Sequence, residues 1–254
     1  MEPIKVLAIT QARTGSSRLP NKVLKEIDGR SLLAIHLDRI LKSKRIDQLI
    51  VATTVAPADD VIADIAAKIH LPFFKGSINN VLDRFYQAAN VYKPSLVVRL
   101  TSDCPLIDAS LIDRIIDKAI ETDVDYCSNT LKPTFPDGMD IEVFKFTALE
   151  KAWKEATLDS EKEHVTPYIH KNSTFHDKKL FTSYNFENET NYENVRLTVD
   201  EQSDFEVISR LIERLGIDKD WKAYADYYLS NNNVKEINTH IERNAGYRTN
   251  LPNN

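Results

Sequence analysis

The sequence predicts an α/β fold, a doubly wound and mostly parallel sheet with a small inserted β or arm region, and three observations carry that prediction. Short β-rich apolar runs such as Gln48–Thr54 and Leu96–Leu100 alternate with stretches whose apolar residues recur at helical spacing, joined by short links. The candidate strand ends carry clusters of polar and charged residues, where an open α/β sheet binds its ligands. The texture changes at Leu131–Phe144, where two prolines and a glycine precede an alternating run. With 254 residues, 42% of them hydrophobic, the chain can bury one sizeable core, so residues 1–254 read as a single domain with the insertion at about 130–195.

Taken in order, Ile4–Ile9 is a buried first strand, and it runs into a loop holding Arg13, Gly15, Ser16, Ser17, Arg18, Pro20 and Lys22. Ser31 caps a helix that places Leu33, Leu37, Ile40 and Leu41 on one face. Gln48–Thr54 is the second buried strand. A helix over Asp59–Ile69 follows with Ile62, Ile65 and Ile69 inward, and Asp59 and Asp60 read as charges at its N-terminus. Next come a short strand at Phe73–Phe74, a helix over Asn79–Val91 and a strand at Leu96–Leu100 that delivers Asp103 ahead of Pro105. Asp108 is the N-cap of a helix through Leu111, Ile112, Ile115 and Ile116, and Val124–Asn129 is another strand. The asparagine-rich stretch Asp177–Tyr192, with a strand core at Leu180–Tyr184, reads as an arm or subunit contact. A late strand at Val195–Asp200 precedes a helix from Ser203 and Asp204 through Leu215, and Trp221–Leu229 is helical; neither it nor the Asn250–Asn254 end carries recognisable chemistry.

Composition narrows the function. A net charge of −5 argues against a broad nucleic-acid footprint, so the cations of the first loop are a local site. Met1–Lys5 enters a strand without the apolar run of a signal peptide and nothing later approaches a membrane span, which predicts a cytoplasmic protein. Two cysteines, Cys104 and Cys127, lack the spacing of a zinc or redox motif and read as reduced and structural.

Three fixed cations among small residues after a strand are the chemistry of a polyphosphate cradle: guanidinium forks match phosphate oxygens and lysine adds a compact charge. Neither the Gly-x-x-x-x-Gly-Lys-Ser/Thr loop nor the Gly-x-Gly-x-x-Gly fingerprint is present. A carboxylate held at a strand's carboxyl end makes Asp103 a candidate magnesium ligand, since that ion takes one or two carboxylates and completes its shell with substrate phosphates and water. Asp140 and Glu142, two apart on a predicted strand, share one face and suit sugar hydroxyls or an amine. His164 lies between Glu161 and Glu163 on one side and Thr166-Pro167 on the other.

Gln11–Leu24, QARTGSSRLPNKVL, closely resembles the opening signature of the cytidylyltransferases that make CMP-activated acid sugars, particularly the SpsF branch of spore coat polysaccharide proteins. Gly76–Tyr86, the Ser102-Asp103-Cys104-Pro105 turn, Phe135–Val143, Glu161–Tyr168 and Val195–Phe205 are similar to later segments of that family, so the resemblance spans about residues 4–205. It implies a Rossmann-like nucleotidyltransferase that joins CTP to an acidic sugar or related hydroxylated acid, releasing pyrophosphate, with Mg2+ as cofactor and a homodimer as its assembly. It further implies nucleotide contacts from Ala12, Arg13, Gly15, Ser16, Arg18, Lys22, Asp83, Arg84 and Asp103. Arg13, Lys22, Asp103 and Asp200 take the catalytic roles, Asp103 and Asp200 the metal, and Asp140, Glu142 and His164 the acceptor. Cys104 stands at a variable position of its motif. Three alternatives stay open: a sugar 1-phosphate nucleotidyltransferase using another triphosphate, whose usual Gly-x-Gly-Thr-Arg loop is absent; a glycosyltransferase, whose Asp-x-Asp motif is replaced by Asp103 followed at two residues by Pro105; and a nucleotide-binding protein without turnover.

Overall fold

The computed structural model describes residues 5–243; the predicted strand start at Ile4 and the Asn250–Asn254 end lie outside them. In chain order the elements are β1 (Val6–Gln11), a small hairpin of β2 (Glu26–Ile27) and β3 (Arg30–Ser31), α1 (Leu32–Ile40), β4 (Gln48–Thr54), α2 (Asp60–Lys68), β5 (Phe73–Gly76), α3 (Val81–Asn90), β6 (Leu96–Thr101) and α4 (Ala109–Thr122). They continue with β7 (Tyr126–Ser128), β8 (Glu142–Lys145), α5 (Phe146–Glu155), α6 (Asp159–His164), α7 (Pro167–Lys171), β9 (Ser183–Asn185), α8 (Gln202–Leu215), α9 (Trp221–Ser230) and α10 (Asn232–Asn238).

One seven-stranded sheet, in the order β5-β4-β1-β6-β8-β7-β9, organises the chain. β5, β4, β1 and β6 pair in parallel, β8 runs antiparallel to both β6 and β7, and β9 closes the edge parallel to β7. Alternation along β1 sorts two cores. Val6 and Ala8 join Leu33 and Leu37 of α1 and Ile112 and Ile115 of α4, while Leu7 and Ile9 join Phe85 of α3 and Leu149 of α5. Covering helices on both faces explain why the central strands are continuous apolar runs. The predicted caps are present: Ser31 accepts from the Ala34 amide at 3.2 Å and Asp108 from the Leu111 amide at 2.9 Å.

Two expectations change. The insertion at about 130–195 contributes β8 and β9 to the main sheet, and the strand read at Leu180–Tyr184 is displaced to Ser183–Asn185. The Thr182 amide and hydroxyl donate to Asp125 at 2.9 Å each and the Tyr126 amide returns to the Thr182 carbonyl, fixing that register. Val195–Asp200, read as a late strand, is extended but forms only an isolated bridge, between Asp137 and Arg196. Its hydrogen bonds go to loops: the Asp137 amide donates to Val195, the Leu197 amide to Asp137, and the Val199 amide to the Asp103 carbonyl at 2.8 Å. Gly138 permits that approach, having φ +104° and a position where a Cβ would lie 2.6 Å from the Leu197 carbonyl carbon.

Candidate active site

A cavity of about 1450 Å³ opens over the carboxyl ends of β1 and β6, the neighbours at which the sheet order reverses. Gln11, Thr101 and the loops after them line it, together with residues 137–142, 159–170 and 196–201.

The first loop is fastened from below. Asp59, buried against the sheet, accepts from the Thr14 amide and hydroxyl at 2.7 Å each and also from the Thr54 hydroxyl. Burial raises its pKa, but these donors outweigh burial and hold it below the usual carboxylate range. Asp59 is therefore the loop's anchor, a role the helix-charge reading missed; the nearby threonines are its signal only once the fold brings them together. With Thr14 pinned, Arg13, Gly15, Ser16, Arg18 and Lys22 line the cavity, as does buried Ala12. A Cβ on Gly15 would meet no protein atom within 4 Å, so the space before the loop stays open.

Across that space stand the two predicted aspartates. The Lys22 ammonium donates to Asp103 at 2.9 Å and to Asp200 at 2.8 Å, and Arg18 reaches Asp200 at 3.1 Å. Burial lowers the lysine's pKa, but Asp103 and Asp200 outweigh it and raise it above its ordinary value; burial conversely raises Asp103 while Lys22 holds it well below. The aspartates are positioned by one stitched unit, since the Asp103 carbonyl accepts from Val199 and from the Thr198 hydroxyl just before Asp200. Beneath Asp103, His36 of α1 is fully buried, one ring nitrogen 2.8 Å from the Cys104 carbonyl and the other 2.8 Å from the Thr10 hydroxyl; burial lowers its pKa to about 4. The predicted magnesium pair is thus brought to one point.

Asp200 is not the cap of α8. Glu201 is the N-cap, and Asp204, three residues on, reaches back to complete a capping box, accepting from the Asp200 and Glu201 amides at 3.0 and 3.1 Å. Buried Arg196 ties the group together, donating to Asp204 at 2.8 Å, Asp137 at 2.6 Å and Asp200 at 3.2 Å. Its charge is divided among three carboxylates, so burial, followed by neighbouring Asp140, pushes Asp137 up to about 7 despite the ion pair. Sequence reasoning missed Arg196, whose only signal is its place in the matched segment.

The other predicted contacts divide. Arg84 lines the cavity, fully buried, with one nitrogen donating to the Ser77 carbonyl at 3.0 Å. Burial, then Arg13, lowers its pKa to about 10. Asp83 lies outside the lining and accepts from the Trp153 indole at 2.9 Å and from Gln87, because successive helical positions face different directions. Asp140 and Glu142 both line the cavity, though Asp140 precedes the strand that Glu142 begins. Glu142 is buried, bonded to Arg99 and at 2.5 Å to the Tyr126 hydroxyl; Asp140 pairs with Arg243. His164 lines the same end, its pKa lowered by burial, while Glu161 turns inward to cap α6 through the Thr157 and Leu158 amides. Cys104 and Cys127 are free and buried.

Cations on one loop, facing carboxylates that share a single ammonium across a polar cleft, are groups that phosphoryl-transfer chemistry can use on an α/β fold. The family model described as cytidylyltransferase matches residues 7–237, and the chain belongs to that family; it is a nucleotidyltransferase enzyme. An uncharacterised protein of Methanocaldococcus jannaschii is 38% identical over 96% of this chain and 98% of its own. The spore coat polysaccharide biosynthesis protein SpsF of Bacillus subtilis is 33% identical over 90% of this chain and 95% of its own. A cytidylyltransferase structure from Leptospira borgpetersenii superposes with a TM-score of 0.85 at 32% identity, covering 94% of this chain and 99% of that one. 3-Deoxy-manno-octulosonate cytidylyltransferases are more distant homologues, that of Chlorobium chlorochromatii being 27% identical over 53% of each chain.

Proposed function

We propose that the enzyme transfers CMP from CTP to a hydroxyl of an acidic sugar or related hydroxylated acid, releasing pyrophosphate, in the biosynthesis of a surface polysaccharide or glycan. The observation that carries this reading is Lys22 held between Asp103 and Asp200 opposite the loop of Arg13 and Arg18. In-line attack on an α-phosphate asks the protein chiefly for positioning and for neutralisation of developing charge. Arg13, Arg18 and Lys22 hold the triphosphate and then the departing pyrophosphate; Ala12, Gly15 and Ser16 shape the wall they stand on.

Magnesium fits the residues present. Among the described residues no group of three or more His, Cys, Asp or Glu side chains is arranged to hold a metal ion, but two part-exposed carboxylates converge on one cation, and magnesium is commonly held by few carboxylates together with substrate phosphates. Asp103 and Asp200 are the residues that hold it, and bound there it supplies charge neutralisation at the phosphate oxygens. At the acceptor end, Asp140, Glu142 and His164 orient the sugar. His164, its pKa lowered by burial, is the better proton acceptor of the three, because Glu142 is ion-paired with Arg99 and accepts from the Tyr126 hydroxyl, and Asp140 is ion-paired with Arg243. We infer a cytoplasmic homodimer. Among the described residues no helix is long and apolar enough to cross a membrane.

The test is pyrophosphate release from each nucleoside triphosphate against a panel of acid sugars. CTP-dependent and acceptor-dependent release is the expected result. Release with a sugar 1-phosphate and another triphosphate, and none with CTP, overturns the reading.

A further inference from the structure

We propose that Arg243 is a specificity-determining residue that binds the carboxylate of the acceptor, an inference that rests on the acidic acceptor proposed above. Besides the arginines of the first loop and the fully buried Arg84, which feels the charge of Arg13, the cavity is lined by Arg99, Arg196 and Arg243. Arg196 is spent on three carboxylates, with its side chain 6% exposed. Arg99 is bound to Glu142, deep beside Tyr126. Arg243 pairs with Asp140, and of these ion pairs theirs keeps the most surface, the two side chains being 17% and 29% exposed against 15% and 7% for Arg99 and Glu142.

Its fork is also held in place. One terminal nitrogen donates to the Phe135 carbonyl at 3.0 Å while the other meets Asp140, so the planar group is ordered before a ligand arrives. A guanidinium fork matches a carboxylate, and Asp140 beside it accepts from a neighbouring sugar hydroxyl, so the pair presents donor and acceptor side by side to a hydroxy acid. Arg243 lies beyond residues 7–237 matched by the family model, where acceptor choice can vary without disturbing the shared nucleotide machinery.

The test compares wild type, Arg243→Gln and Asp140→Asn at saturating CTP and magnesium, with 3-deoxy-manno-octulosonate, N-acetylneuraminate and the methyl ester of each as acceptors. Both substitutions break the Arg243–Asp140 pair, and only the first removes the proposed carboxylate ligand. Expected is a fall of about 10–100-fold in kcat/KM for the preferred acid in Arg243→Gln, bringing it near its ester, with KM for CTP unchanged and the acid preference retained in Asp140→Asn. An acid-to-ester ratio that survives in Arg243→Gln, or that collapses equally in both variants, overturns the inference and leaves the proposed function standing. If wild type uses neither acid, the acidic-acceptor reading falls and this inference with it.

Discussion

Lys22 shows what the fold adds to a residue. A cation in an exposed loop, such as Arg13, contributes little to stability. Lys22, however, is lodged between Asp103 and Asp200, whose side chains are 28% and 22% exposed. Lys22→Ala is therefore expected to cost about 1–2 kcal/mol of stability, below the ~3–5 kcal/mol of a fully buried pair because water screens the two carboxylates. Both Arg13→Ala and Lys22→Ala should weaken CTP binding by about 10–100-fold in calorimetric titration. Unchanged CTP affinity in both, with the fold intact, would remove the phosphate-cradle assignment. His36 gives a second prediction. Its neutral ring is fixed between Thr10 and Cys104 and its pKa is depressed to about 4, so the unfolded chain takes up its proton first as pH falls. Stability from this group is complete above about pH 6.5 and is lost towards pH 4, by roughly 3 kcal/mol in all. Buried Asp137, with its pKa raised to about 7, works in the opposite direction, so the comparison is with His36→Gln. Urea midpoints between pH 7 and 4 should fall more steeply in wild type than in the variant; equal slopes would contradict the buried neutral ring.

The elements that build the site are two loops, and each has a buried keystone. For the first loop it is Asp59, whose loss in Asp59→Ala frees Thr14 and is expected to raise KM for CTP about 10-fold while kcat changes less. For the segment carrying Asp200 it is Gly138. Gly138→Ala adds a Cβ 2.6 Å from the Leu197 backbone at φ +104°, so both strain and overlap must be relieved by moving the 195–199 segment. A loss of about 2–4 kcal/mol by denaturant titration, together with most of the turnover, is expected; a variant of normal activity would show that the segment need not lie there. The sequence was readable for the parallel half of the sheet because alternating apolar runs and amphipathic helices specify those elements locally, and the predicted strands at Gln48 and Leu96 match closely. It was less readable beyond Leu131. β9 is fixed by Asp125 meeting Thr182, and the Val195–Asp200 stretch by Asp103 and Asp137, contacts between residues far apart in sequence. Arg13, Arg18, Lys22, Asp103 and Asp200 were legible because motifs named them. Arg196, Arg243 and His36 were not, because an arginine or histidine given no role by a motif looks like any other until its partners are known.

At the scale of the whole molecule, the sheet sets a basic loop on one side of its reversal point and a carboxylate-bearing loop on the other, with residues of β8 and of helices α6 and α7 lining the same cavity. The central claim is that Asp103 and Asp200, drawn together on Lys22, form the magnesium and nucleotide centre of a CTP-dependent transferase. Its most direct test is the magnesium dependence of pyrophosphate release in wild type, Asp103→Asn and Asp200→Asn, whose neutral isosteres keep the shape of each side chain. The expected result is release that rises with magnesium and ceases with a chelator in wild type, and a fall of 100-fold or more in kcat for each variant with the folded state retained. Near-normal, magnesium-dependent turnover in Asp200→Asn would contradict the paired centre and leave Asp103 alone to hold the metal.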